Sequence, residues 1–220
     1  MAWRCTGETN QELVENLFKA NIIKSERVKE AMLHTDRALY THVRAYEDAP
    51  QGIGHAQTIS APHMHAHALE LVADLLEPGA KVLDVGSGSG YLTACFARMV
   101  APTGHVVGLE YVPDLVRKGQ ENIAQDAKDL IEAGVLQIQQ GDGWLGLPDQ
   151  APFHVIHVGA AAVETPMALL KQLHPDGGRL VVPVGPQDGE QYLMMYIRQG
   201  DDIVSRELMG VRYVPLVRDN

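Results

Sequence analysis

Three acids and one run of glycines are the residues of this 220-residue sequence best spaced to do chemistry. The stretch Lys81-Val82-Leu83-Asp84-Val85-Gly86-Ser87-Gly88-Ser89-Gly90 ends an apolar run in alternating glycines. It reads as a buried parallel strand entering a tight turn. Gly86, Gly88 and Gly90 lack a β-carbon, so the backbone can take positive φ and come close to a ligand. From Tyr91 onward, Leu92, Cys95, Phe96 and Met99 recur at helical spacing. Strand, turn and helix make the corner of an open α/β sheet where nucleotides lie beyond the carboxyl ends of the strands. The spacing is G-x-G-x-G, not the dinucleotide G-x-G-x-x-G, and no phosphate-binding G-x-x-x-x-G-K-[ST] occurs. Asp84, two residues before the first glycine, would repel a pyrophosphate and attract an ammonium group. S-adenosylmethionine satisfies both conditions, and a dinucleotide is the alternative.

Two further acids fit the same ligand. His105 to Glu110 reads as the next strand, with Glu110 placed to accept from both ribose hydroxyls of either ligand. Leu136 to Gly143 reads as a third, ending in Gly141-Asp142-Gly143, where Asp142 can accept the adenine amino group. Each acid alone is as easily a solvated loop residue. Three at the ends of successive strands share one reading, a nucleoside site. Upstream, Gln57-Thr58-Ile59-Ser60-Ala61-Pro62-His63-Met64-His65-Ala66-His67 leads into a helix running to Pro78-Gly79, with Ser60 as N-cap and Pro62 in the first turn. Ser60 is either that cap alone or a hydroxyl beside the methyl group. His63 and His67 share a helical face that His65 does not, and no acid or cysteine cluster joins them, so a metal is not expected.

These residues need a scaffold, and the composition supports one. The length suggests a single domain with a substantial core. Hydrophobic residues make up 45% of the chain, no apolar run approaches membrane-spanning length, and Met1 to Thr6 has no signal-peptide core. Cys5 and Cys95 are the only cysteines, too few for a disulfide framework. A soluble, cytoplasmic protein is expected. The formal charge of −10 disfavours nucleic acid as a partner.

Thr9 to Glu12 is a capping box, Glu12 reaching back to Thr9, ahead of a helix to about Ala20. Ser25 caps a second helix. Residues 36–54 read as irregular chain. Pro113 opens the helix after the Glu110 strand, and Gly134 ends a helical stretch containing Leu130 and Ile131. Phe153 to Gly159 and Arg179 to Val184 are the fourth and fifth strands, with a helix from Thr165-Pro166 between them. Gln191 to Ile197 and Val211 to Leu216 are later strands, separated by too little chain for a crossover helix and therefore antiparallel. Pro215 belongs at an edge or bulge. The motifs that grip a planar amine, Asn/Asp-Pro-Pro-aromatic, or attack a cytosine, Pro-Cys, are missing after the fourth strand. The predicted fold is a doubly wound, mostly parallel α/β sheet of Rossmann-like type with an N-terminal helical cap and C-terminal antiparallel strands. It divides into residues 1–78 as cap and substrate side, 79–185 as cofactor core, and 186–220 as closing strands.

Over nearly its whole length the chain resembles the protein-L-isoaspartate (D-aspartate) O-methyltransferases, the animal form in particular. The resemblance rests on Thr58 to Ala68, Leu83 to Gly90, Ile156 to Ala162 and Met209 to Leu216. It implies methyl transfer from S-adenosylmethionine to the α-carboxylate of isoaspartyl residues in damaged proteins and peptides, the ester then collapsing through a succinimide. It also implies Ser60 as the active-site serine. Gln57, Thr58, Ile59, Ser60, His65, Asp84, Val85, Gly86, Ser87, Gly88, Glu110, Asp142 and Gly143 match cofactor-contacting positions, and Ser60 and Val214 match the substrate side. Glu110 stands where aspartate is also found. Val217 stands where a threonine can contact the cofactor, and it is left out of the site. Isoaspartyl proteins and peptides are the expected partners, with no membrane and a monomeric enzyme. A nucleoside-binding module without chemistry, an NAD-dependent oxidoreductase, and a methyltransferase for another carboxylate or small molecule are the competing readings.

Overall fold

The computed structural model describes residues 5–217. The N-terminal cap begins with α1 (Asn10–Lys19) and α2 (Glu26–Leu33). Thr9 and Ser25 cap them as expected, each accepting a backbone N–H of the first turn. The Glu12 carboxylate differs from the capping-box expectation: it takes the N–H of Glu8, at 2.8 Å, one residue upstream of the cap. Leu13, Val14, Leu17, Val28 and Met32 are fully buried, which gives both helices a single core-facing stripe.

Residues 36–54 are more regular than the sequence suggests. They include a 3-10 turn (Arg37–Leu39) and β1 (Gln51–Gly54), which pairs antiparallel with β2 (Gln57–Ile59). His55 and Ala56, between these strands, both have positive φ (53° and 56°). That conformation suits a two-residue hairpin but costs a non-glycine residue about 1–2 kcal/mol. The hairpin is held by contacts: Ile53 is 5% exposed, His55 Nε2 lies 3.4 Å from Asp114 Oδ2, and Lys118 Nζ lies 3.4 Å from the Ile53 carbonyl.

Next, α3 (Pro62–Glu70) begins one residue later than predicted, with Ala61 as an N-cap that offers no side-chain bond. Proline disfavours helical backbone in the residue before it, so Pro62 keeps Ala61 extended, at φ −59° and ψ 146°, and Ser60 is left outside the helix. The helix is also shorter than expected and passes into a 3-10 turn, Ala73–Leu75.

The core is a seven-stranded sheet in the order β5-β4-β3-β6-β7-β8-β9. β3 (Lys81–Val85), β4 (His105–Glu110), β5 (Leu136–Gln140), β6 (Val155–Val158) and β7 (Asp176–Val184) run parallel. Alternate residues enter two separate cores. Val82, Val106 and Val155 pack beneath α4 (Tyr91–Val100), α5 (Pro113–Asp126), α6 (Lys128–Glu132) and the cap helices. Leu83, Val107 and Ile156 pack on the other face with α7 (Met167–Lys171) and the chain around Trp144. Cys5 and Cys95 are buried and free.

The antiparallel closing strands are β8 (Gln191–Gln199) and β9 (Asp202–Val211). The predicted last strand at 211–216 is therefore mostly displaced: β9 ends where that segment was to begin. Almost every residue of β9 is exposed, so it lacks the apolar alternation that marks a half-buried strand. Residues beyond it leave the sheet and fold back on Ala161, which bonds to the Val214 carbonyl and the Leu216 N–H. Pro215 forms only an isolated bridge with Ala161.

Candidate active site

The glycine turn is fixed from below by β4: the N–H groups of Gly86 and Ser87 both donate to the Leu109 carbonyl. Gly86, Gly88 and Gly90 all have positive φ. At Gly88 the roof is also close, since a β-carbon there would lie 3.0 Å from Ile53 Cδ1. The β1–β2 hairpin thus sits directly on the turn.

Two hollows flank the turn, of about 50 and 40 Å³. The first is bordered by Gln57, Val85, Glu110, Gly143 and Val214; the second by Ile59, Ser60, His65, Asp84 and Ser87. Beside them runs a groove of about 850 Å³, lined by Ser60, His63, Met64 and the backbone from Met209 to Pro215. All three spaces share Thr58 and Gly159. Gly159 was not anticipated as a site residue. It follows β6 directly, and a β-carbon on it would lie 3.0 Å from the Gly86 carbonyl. Val217, left out on sequence grounds, also borders the first hollow.

The two strand-end acids are pre-organised by bonds to the protein. Asp84 is 2% exposed, with Thr93 Oγ1 donating to one oxygen at 2.6 Å and His157 Nδ1 lying 2.8 Å from the other. Glu110 accepts from the Gly88 and Val112 N–H groups, both at 2.9 Å. A carboxylate offers roughly four lone-pair sites, so each acid keeps acceptor capacity for a ligand. Asp142 stands outside both hollows, half-buried, its carboxylate accepting the Trp144 N–H at 2.8 Å; its neighbour Gly143 does border the first.

Ser87 Oγ is buried without a hydrogen-bond partner, which suits a ligand acceptor in the second hollow. Fit follows from the donor and acceptor set. Glu110 and backbone N–H groups suit a nucleoside on one side of the turn, and Asp84 with hydroxyl donors suits an amino acid on the other. S-adenosylmethionine joins those two parts.

Ser60, freed from capping, lines both the second hollow and the groove. Its side chain faces the Tyr213 phenol, whose pKa burial pushes up to about 12. His65 is buried, and burial together with the Arg37 charge holds its pKa well below the usual histidine range. The His63 ring binds the buried Asp48 at 2.7 Å. Among the described residues, no group of three or more His, Cys, Asp or Glu is placed to hold a metal ion.

Comparison with known proteins agrees with this geometry. Residues 8–220 match the family described as Protein-L-isoaspartate(D-aspartate) O-methyltransferase. A protein-L-isoaspartate O-methyltransferase of Caenorhabditis elegans is 46% identical, over 98% of this chain and 96% of its own length. One from Triticum aestivum is 49% identical, over 95% and 91%. The beta-aspartate methyltransferase of Plasmodium falciparum, solved with S-adenosyl-L-homocysteine, superposes with a TM-score of 0.90 at 35% identity, covering 97% of this chain and all of that one. Sequence, fold and cleft therefore agree, and the chain belongs to the protein-L-isoaspartate (D-aspartate) O-methyltransferase family.

Proposed function

We propose that the protein transfers the methyl group of S-adenosylmethionine to the α-carboxylate of L-isoaspartyl residues in damaged proteins and peptides, with D-aspartyl residues as a second class. The observation that carries this reading is the meeting of a two-part nucleoside and amino-acid cleft with a long groove at Thr58 and Gly159, beside the Ser60 hydroxyl. A groove of 850 Å³ alongside an exposed strand suits a polypeptide better than a small acceptor.

S-adenosylmethionine supplies an electrophilic methyl carbon on a positively charged sulfur. The chain's own residues have a modest chemical task, because an α-carboxylate of pKa about 3.5 is already an anionic nucleophile at neutral pH. No base is required. Ser60 donates a hydrogen bond that orients the attacking carboxylate, and the backbone around Val214 holds the substrate chain. Asp84 takes the ammonium group and Glu110 the ribose, while Gln57, Thr58, Ile59, His65, Val85, Gly86, Ser87, Gly88 and Gly143 complete the wall, and Asp142, just outside it, accepts the adenine amino group. Alignment of oxygen, carbon and sulfur is the main source of rate. Charge is neutralised in the step, so water excluded by the hairpin and cap favours it.

Residues 1–78 then serve as cap and substrate side, 79–185 as cofactor core and 186–220 as closing strands. Among the described residues no helix is long and apolar enough to cross a membrane, and the enzyme is taken to work in the cytoplasm as a monomer, with neither membrane nor nucleic-acid partner. The test uses labelled-methyl S-adenosylmethionine and two peptides differing only in one Asp or isoAsp linkage. Base-labile ester on the isoAsp peptide alone is expected. Labelling of neither peptide, or of both equally, would overturn the acceptor assignment.

A further inference from the structure

Arg37 is fully buried and forms no ion pair with an acid among the described residues. It stands in a 3-10 turn of the cap, fixed at its backbone by an N–H bond to Asn10 Oδ1 at 3.4 Å. Nη2 donates to the Ser60 carbonyl at 2.8 Å, Nη1 lies 3.4 Å from His65 Nδ1, and the guanidinium sits 5.5 Å from the centre of the Tyr91 ring. Nε has no partner at all. Asp48, itself buried, is close enough to act on the charge but forms no ion pair with it: its Oδ1 takes the ring and the backbone N–H of His63, at 2.7 and 3.0 Å, and its Oδ2 has no hydrogen-bond partner. Burial lowers the guanidinium pKa only to about 10, so a full positive charge is held inside the protein without a contacting counter-ion. Such a charge is strongly unfavourable unless something else balances it.

The consequences for His65 are specific. A guanidinium can only donate, so Nδ1 must be the acceptor and the ring carries its hydrogen on Nε2. His65 borders the hollow that also contains Asp84, Ser60 and Ser87, the end that the proposed function gives to the amino-acid part of the cofactor. An α-amino acid carries ammonium and carboxylate on one carbon. Asp84 answers the ammonium; nothing among the anticipated residues answers the carboxylate with charge.

We propose that Arg37 is the buried counter-charge for carboxylate in this cleft, a positioning residue that fixes His65 as a neutral Nε2–H donor and steadies the Ser60 segment. It rests on the cofactor assignment above. A merely structural strut between cap and Ser60 would support every ligand alike, whereas a counter-charge supports only ligands with a carboxylate.

The decisive measurement is calorimetric binding of S-adenosylhomocysteine and of its decarboxylated analogue, which keeps the amine and loses only the carboxylate. Wild-type protein should prefer the former by at least tenfold. Arg37→Met should weaken S-adenosylhomocysteine by twentyfold or more and the analogue by less than threefold, and Arg37→Lys should recover most of the preference. Equal weakening of both ligands by Arg37→Met, or an unchanged preference, would overturn the role. If Arg37→Met does not fold, a wild-type preference near one, or an Arg37→Lys protein that binds both ligands with no preference, overturns it equally. Failure of the functional reading is separately visible, as absence of methyl transfer by the wild-type enzyme to the isoAsp peptide.

Discussion

Replacing Asp84 by asparagine removes the charge assigned to the cofactor's ammonium while leaving the shape of the site. The structure allows this unusually well. Thr93 Oγ1, at 2.6 Å, can turn to accept from an amide as readily as it donates to a carboxylate. His157 Nδ1, at 2.8 Å, can instead exchange tautomer and accept. At most one of the two bonds is weakened, so the expected loss of stability is about 1 kcal/mol, or roughly 2–4 °C in melting temperature for a chain of this size. The ligand loses more. A hydrogen bond between charged groups in a site as dry as this contributes about 1.5–3 kcal/mol, which is about 12- to 150-fold in Kd. The assay is calorimetric titration of S-adenosylhomocysteine into wild-type protein and Asp84→Asn, with 5′-methylthioadenosine, which has no amino-acid part, as the control. Methylthioadenosine should bind both proteins alike. An Asp84→Asn affinity for S-adenosylhomocysteine within twofold of wild type would refute the assignment of Asp84 to the ammonium.

Ser60→Ala should lower kcat/KM on an isoaspartyl peptide by roughly 10- to 100-fold, the worth of one hydrogen bond to a carboxylate. Because Ser60 does not cap α3, its melting temperature should stay near wild type; full activity would remove the serine from the mechanism. Gly88→Ala places a β-carbon 3.0 Å from Ile53 Cδ1 at a φ of +53°, so it should displace the hairpin, cost about 1–2 kcal/mol of stability and raise the Kd for S-adenosylhomocysteine. An unchanged Kd would show that the hairpin is not the roof. His65 has a folded-state pKa held well below 6.5, so the unfolded chain binds its proton first as pH falls. Its contribution is complete above pH 6.5 and is lost below it, by up to about 1.4 kcal/mol per pH unit. Urea melts at pH 7.5 and 5.5 should therefore differ less in His65→Gln than in wild type, and equal differences would contradict the burial of a neutral ring.

The parallel strands were legible because both their faces are buried, which leaves continuous apolar runs such as Val82-Leu83 and Val106-Val107. Strand β9 was not, because solvent on both faces removes the periodicity that would announce it. The same contrast holds at the site. Glycines and strand-end acids advertise themselves by type and spacing. Ser60 was misplaced by a single residue because the restriction that Pro62 imposes on Ala61 outweighs the capping preference of a nearby serine. Arg37 lies in a segment without periodicity, and a lone arginine reads as a solvated charge until the fold encloses it. Gly159 announces nothing in sequence, since its role is to have no side chain where three spaces meet.

The left-handed pair His55-Ala56 has a consequence for the tempo of the enzyme. The hairpin that this pair closes lies over Gly88 and supplies Ile53, Gln57 and Thr58 to the first hollow, so its position sets the room on the nucleoside side. The left-handed backbone at His55 and Ala56 costs about 1–2 kcal/mol per residue, which lowers the free energy needed to unpair the hairpin. Lid opening of this kind occupies microseconds to milliseconds and often limits turnover. An Asn-Gly pair at these two positions would relieve that cost and hold the roof more tightly.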